Sequence, residues 1–223
     1  MKTVTVKGIG KVSAPVDTVE LHFRLWHKDK DYSRALDAAA RKVDELEKAL
    51  ASAGFPAEDY QTTGFHVNTE YEGVRDEKGE YRNVFSGYVC AYEQQLRFPF
   101  GTIRLGEALN AVAASKAQPE LNVSFTVKSP EALQTALLEN AAGNAKTRAE
   151  ILCRASGVRL GELQQIEYDF SHLSFRSDTM MEMECAAPML AGQAKRSMAN
   201  NLRPQDIDLQ DSAVFVWEII PEY

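Results

Sequence analysis

Two glycines, four histidines and a methionine-rich segment are the parts of this sequence whose types and spacing invite chemistry. Gly8 and Gly10 follow a strand-like run as in a dinucleotide-binding loop. However, Ser13 takes the third glycine position, and a second strand follows where a helix is needed. The pair is expected instead to permit a bulge or a close backbone approach. His22, His27, His66 and His172 have neither the H-x-x-x-H spacing nor a cysteine pair nearby, so no structural metal is expected. Cys90, Cys153 and Cys185 form no C-x-x-C pair or nucleophile signature, and no G-x-S-x-G elbow occurs. Catalysis has no anchor here, and the expectation is a protein that is not an enzyme and carries no cofactor.

Two groups of residues remain as contact candidates. The stretch from Ser171 to about Asp208 loses periodicity and holds Met180, Met181, Met183, Met189 and Met198 together with Cys185. Thioether and thiol ligands suit Cu(I), and the same side chains oxidise reversibly, but methionine is also the adaptable filler of contact surfaces. A segment of this length without a period is expected to be a loop excursion, 171–209, that orders at an interface. Lys146, Arg148 and Arg154 form a polar helix face, with Glu139 and Glu150 interleaved at pairing distance. That mixture fits a solvated or intersubunit face better than an anion site.

The elements that position these residues follow from hydrophobic period. Val19, Leu21, Phe23 and Leu25 alternate with Glu20, His22, Arg24 and Trp26, as a half-buried strand does. Ala14-Pro15-Val16-Asp17 turns into that strand from another at residues 3–12. Asp31 is placed to cap a helix through Leu36, Ala39, Val43, Leu46 and Leu50 that stops at Gly54. Strands from Tyr60 to about Tyr71 and from about Val84 to Phe98 flank a polar turn and read as a hairpin. A short helix spans Ile103 to Ser115, and a strand runs through Leu121, Val123, Phe125 and Val127. A second long helix starts at Ser129-Pro130, buries Leu133, Leu137, Ala141, Ala145, Ala149 and Leu152, and ends at Gly157. A strand through Leu163 and Ile166 follows, and Ala213 to Ile220 closes the chain.

Ala145-Lys146-Thr147-Arg148-Ala149-Glu150, with Leu152, Gly157, Leu160-Gly161 and Ile166, resembles the C-terminal signature of the SIMPL-domain family. Val4, Val6, Gly8, Gly10, Val12, Pro15, Asp17, Val19, Leu21 and Phe23 are similar to its opening strands. The resemblance implies a structural or interaction protein of unknown specific activity that self-associates, in a family whose bacterial relatives are linked to stress tolerance and form ring-like or channel-like assemblies. Two features depart from that pattern. The opening MKTVTVKGIG reads directly into a strand, so the secretory signal common in the family is not expected here, and Cys153 stands where a small residue is usual.

With 223 residues, 44% hydrophobic and 26% charged, the chain can bury a core as one domain or as two intimately joined halves. A net charge of −7 disfavours general attraction to nucleic acid or anionic membrane, and no apolar run is long enough to span a bilayer. Scattered cysteines and no leader lead to the expectation of a cytoplasmic protein. The expected architecture is α+β, with one mostly antiparallel sheet covered by two long helices. It is built from two pseudo-repeated strand-helix-strand halves, residues 19–71 and 121–170. The alternative to self-association is a small-molecule-binding or redox-sensing protein with a pocket between sheet and loop.

Overall fold

The computed structural model describes residues 2–75, 81–169, 173–184 and 202–221. In chain order the elements are β1 (Thr3–Ala14), β2 (Thr18–Asp29), α1 (Tyr32–Ser52), β3 (Tyr60–Arg75) and β4 (Tyr81–Pro99). They continue with α2 (Thr102–Ala114), β5 (Glu120–Thr126), α3 (Pro130–Ala155), β6 (Val158–Glu167), β7 (Met181–Glu184) and β8 (Ile207–Pro221). The chain is α+β, but the strands form two antiparallel sheets, ordered β1-β8-β6 and β3-β4-β2-β5-β7. Contacts divide it into two compact units, one of residues 1–16, 126–178 and 205–223, the other of residues 17–125 and 179–204.

In the first unit β1 pairs with β8 from Thr3↔Glu218 to Ala14↔Ile207, and α3 lies on this sheet. The approach is close because Gly8 and Gly10 have no side chain. A Cβ on Gly8 would lie 2.1 Å from the Ala141 carbonyl oxygen, and one on Gly10 would lie 2.0 Å from that of Leu137. Buried Leu137, Ala141, Ala145, Ala149 and Cys153, four residues apart, form the contacting line of the helix. Leu152, expected on that line, is 50% exposed, while Cys153 is 3% exposed. The reason is geometric: the step of four that runs through Ala149 reaches residue 153, not 152. Ser129 precedes the helix as expected, although its hydroxyl makes no capping bond. Gly157, at φ 67°, supplies the left-handed residue after the helix.

In the second unit Val19, Leu21, Phe23 and Leu25 of β2 are fully buried, and Ala35, Ala39, Leu46 and Leu50 give α1 its apolar face. Asp31 caps α1 by accepting from Arg34 N at 3.0 Å. β2 pairs with β4 throughout, from Thr18↔Pro99 to Asp29↔Tyr88.

The single shared sheet is therefore corrected to two, while the shorter helix expected at Ile103 to Ser115 is α2. The order strand, long helix, strand does occur twice, but β5 belongs to the five-stranded sheet and β6 to the three-stranded one. Alternation of apolar residues reports that a strand is half buried, not which strand it pairs with. Residues 173–184, within the expected excursion, are partly built into the sheets. Thr126 bridges to Arg176, Ser177 Oγ donates to the Gln205 carbonyl at 2.7 Å, and β7 pairs with β5.

Candidate functional site

The three-stranded sheet has two outer edges, and the chain treats them differently. Along β1, the side chains of α3 bond to the strand's backbone. Asn144 Oδ1 accepts from Ile9 N at 3.1 Å, Asn140 Nδ2 donates to Lys11 O at 3.3 Å, and Arg148 Nη1 donates to Lys7 O at 3.3 Å. A helical step of four rises ~6 Å and two strand residues advance by ~6.6 Å, so the three donors and acceptors keep step with alternate residues of β1. Three backbone groups that would attract another strand, Lys7 O, Ile9 N and Lys11 O, are thus occupied. β6, at the other edge, pairs with β8 alone among the described strands. Gln164 Nε2 donates to Glu162 O at 3.3 Å within β6 itself. Leu163 is 45% and Ile166 55% exposed.

In the five-stranded sheet β3 is the outer strand beyond β4. Past Tyr88↔Asp29 the hairpin has no third strand among the described residues, and its two strands continue as a ribbon to Arg75↔Tyr81. Tyr71, Val74, Tyr81, Val84 and Phe85 are all exposed there, Tyr81 by 73%. Tyr71 meets Phe85 edge-on at 6.0 Å, Phe85 meets Tyr88 at 5.1 Å and Tyr88 meets Tyr32 at 5.6 Å, so the aromatics form a continuous row. The base of the ribbon is tied by Lys28 Nζ, 2.8 Å from Glu70, 3.0 Å from Glu72 and 2.6 Å from Ser86 Oγ. The hydrogen bonds that the Lys28 ammonium donates to Glu70 and then Glu72 hold it above its usual pKa; those that Glu72 accepts from Ser86 and then Lys28 hold its carboxyl below its own.

A groove of about 540 Å³ lies across β4, β2, β5 and β7, lined by His22, Arg24, Glu93, Glu120, Asn122 and Glu182 among others. Much of its charge is internally paired. Arg24 Nη1 is 3.2 Å and Trp26 Nε1 2.8 Å from the Glu120 carboxylate. Next to the groove, Glu20, 5% exposed, takes Arg97 Nε at 3.0 Å, with His22 Nε2 at 3.5 Å. The alternation of β2 had shown Glu20, His22, Arg24 and Trp26 on one face; the partners on β4 and β5 had no local signal. Among the described residues no group of three or more His, Cys, Asp or Glu is placed to hold a metal ion.

The contact candidates are dispersed. Met180 is 61% exposed, and Met181 opens β7 opposite Val123. Met183 pairs with Leu121 through its backbone, while Cys185 and Met189 lie outside the described residues. Lys146, Arg148 and Arg154 are exposed on α3, and of these Arg148 is a partner of the β1 edge.

Two antiparallel sheets with a helix packed closely on one of them define the chain as α+β. The chain belongs to the SIMPL family of proteins of unknown function (DUF541), whose model matches residues 4–217. It is also similar to a 26 kDa periplasmic immunogenic protein of Brucella melitensis, 20% identical over 207 residues that cover 89% of this chain and 82% of the relative. An uncharacterized conserved protein from Listeria innocua aligns over 95% of this chain and 92% of its own at 9% identity, with a TM-score of 0.18, too low to relate the two folds. The cytoplasmic expectation is overturned by the periplasmic relative. Scattered cysteines were a poor guide to compartment, because Cys90 and Cys153 are free and buried, and thiols shielded in this way are inert.

Proposed function

We propose that this is a self-associating interaction protein that works outside the cytoplasm. The observation that carries the reading is the ribbon of β3 and β4, whose row of exposed aromatic side chains has no cover among the described residues. Apolar surface gathered on a protruding element marks a contact site, and aromatic residues dominate such contacts. The periplasmic relative supports the compartment. Light scattering on the untagged protein over a range of concentrations tests association. A mass above the 24.8 kDa chain is expected, falling when Tyr71 and Phe85 are both replaced by serine. A monomer at every concentration would sink the reading.

A second reading rests on the groove beside β7, a polar cavity of about 540 Å³ that suits a small cationic or hydrogen-bonding ligand. Native mass spectrometry that finds a retained small molecule on a monomer would favour it over self-association.

A further inference from the structure

We infer that β6 is a two-fold contact, pairing antiparallel with β6 of a second copy about an axis at Leu163; this rests on the self-association proposed above and adds to the ribbon a second contact surface. The three-stranded sheet can grow at one edge, since Asn140, Asn144 and Arg148 occupy the other. Register shifts between Leu160 and Leu163 and between Leu163 and Gln165 give β6 an unusual pattern. Leu160, Leu163 and Ile166 stand opposite Ile219, Trp217 and Phe215, alternate residues of β8. All three therefore share the face on which Trp217 and Phe215 pack with Ala145 and Ala149 of α3. Leu160 joins that cluster, whereas Leu163 and Ile166 stay exposed at its border, as does Leu152 on α3.

The sequence of β6 complements itself when reversed. With Leu163 opposite the partner's Leu163, Leu160 falls opposite the partner's Ile166 on the same face. Arg159 then falls opposite the partner's Glu167 on the other face, and symmetry repeats each pair. A slip of one residue would set these apolar side chains against polar ones, so the register is specified. A second copy is the occupant because one short strand carries both the apolar centre and the opposite charges at matching distances from it. Main-chain bonding would supply the affinity and the Leu163 centre the register.

The test uses the full chain. Leu163→Cys should form a disulfide-linked dimer under mild oxidation, since residues facing each other on antiparallel strands bring their Cβ atoms to roughly 4.5–5.5 Å. Leu163→Ser, which keeps the natural cysteines, should not. Arg159→Glu should weaken association by roughly tenfold through like-charge repulsion, and adding Glu167→Arg should restore it. Wild-type protein that assembles while Leu163→Cys stays uncross-linked, or while Arg159→Glu leaves the mass unchanged, overturns the β6 contact and leaves self-association standing. Wild-type protein that remains monomeric removes both.

Discussion

β1 and β6 flank the same central strand, β8, and sit under the same helix, yet helix side chains bond to one edge while the other pairs with β8 alone among the described residues. Closure needs two features of β1. Gly8 and Gly10 let the backbone of α3 settle onto the strand, and at that separation Asn140, Asn144 and Arg148 reach its outer backbone groups. β6 has Gly161 in close approach to β8 rather than to the helix, with Glu218 atoms 3.0 Å from where a Cβ would stand. Beyond it, Leu163 and Ile166 are left beside the helix rather than beneath it. The difference teaches that a helix can protect an edge only where the strand lets it come near.

The largest expected effect breaks the closure at its base. Gly10→Ala places a methyl group against the Leu137 carbonyl, which is backbone and cannot swing away. A loss of about 3 kcal/mol or more is expected, at the upper end of overpacking costs, measured by chemical denaturation. Wild-type stability would mean that the helix need not lie so close. Ala145→Leu adds bulk to the same contact at a fully buried position and should cost about 1–3 kcal/mol; an unchanged denaturation midpoint would place the strip in solvent. Asn144→Ala removes the acceptor for Ile9 N, and the expected loss is about 1 kcal/mol. Faster amide exchange at Ile9, with β6 unaffected, would tie that loss to the β1 edge. Smallest is Arg148→Ala, which deletes one exposed bond to Lys7 O and should change stability by less than about 0.5 kcal/mol. A larger loss would make this arginine a principal clasp of the edge.

Much of this was legible where the signal is local. Asp31 and Gly54 bound one helix, Pro130 and Gly157 the other, and the alanine line shows in the step of four. Gly8 and Gly10 announced a close approach but not its partner, since Ala141 and Leu137 lie more than a hundred residues away in the chain. Asn140, Asn144 and Arg148 were hidden for a different reason: polar residues on a helix look alike whether they face water or a strand's backbone. Leu163 and Ile166 were legible as strand residues, but their exposure was not, because an apolar residue in a strand pattern carries no sign of how far the covering helix extends. The pairing of Arg24 and Trp26 with Glu120 joins strands more than ninety residues apart and has no sequence period at all.

The pairing of Thr3 with Glu218 also bears on how the chain acquires its form. Residues 17–125 contain four strands of the five-stranded sheet, so that sheet can begin to assemble while later residues are still being synthesised. β1 precedes that sheet in the chain but pairs with β8, which follows it, a separation that makes closure entropically costly and slow. Until β8 is made the alternating valines of β1 are exposed to other chains, and a molecular chaperone that holds residues 3–14 would be guarding a strand that waits for its distant partner.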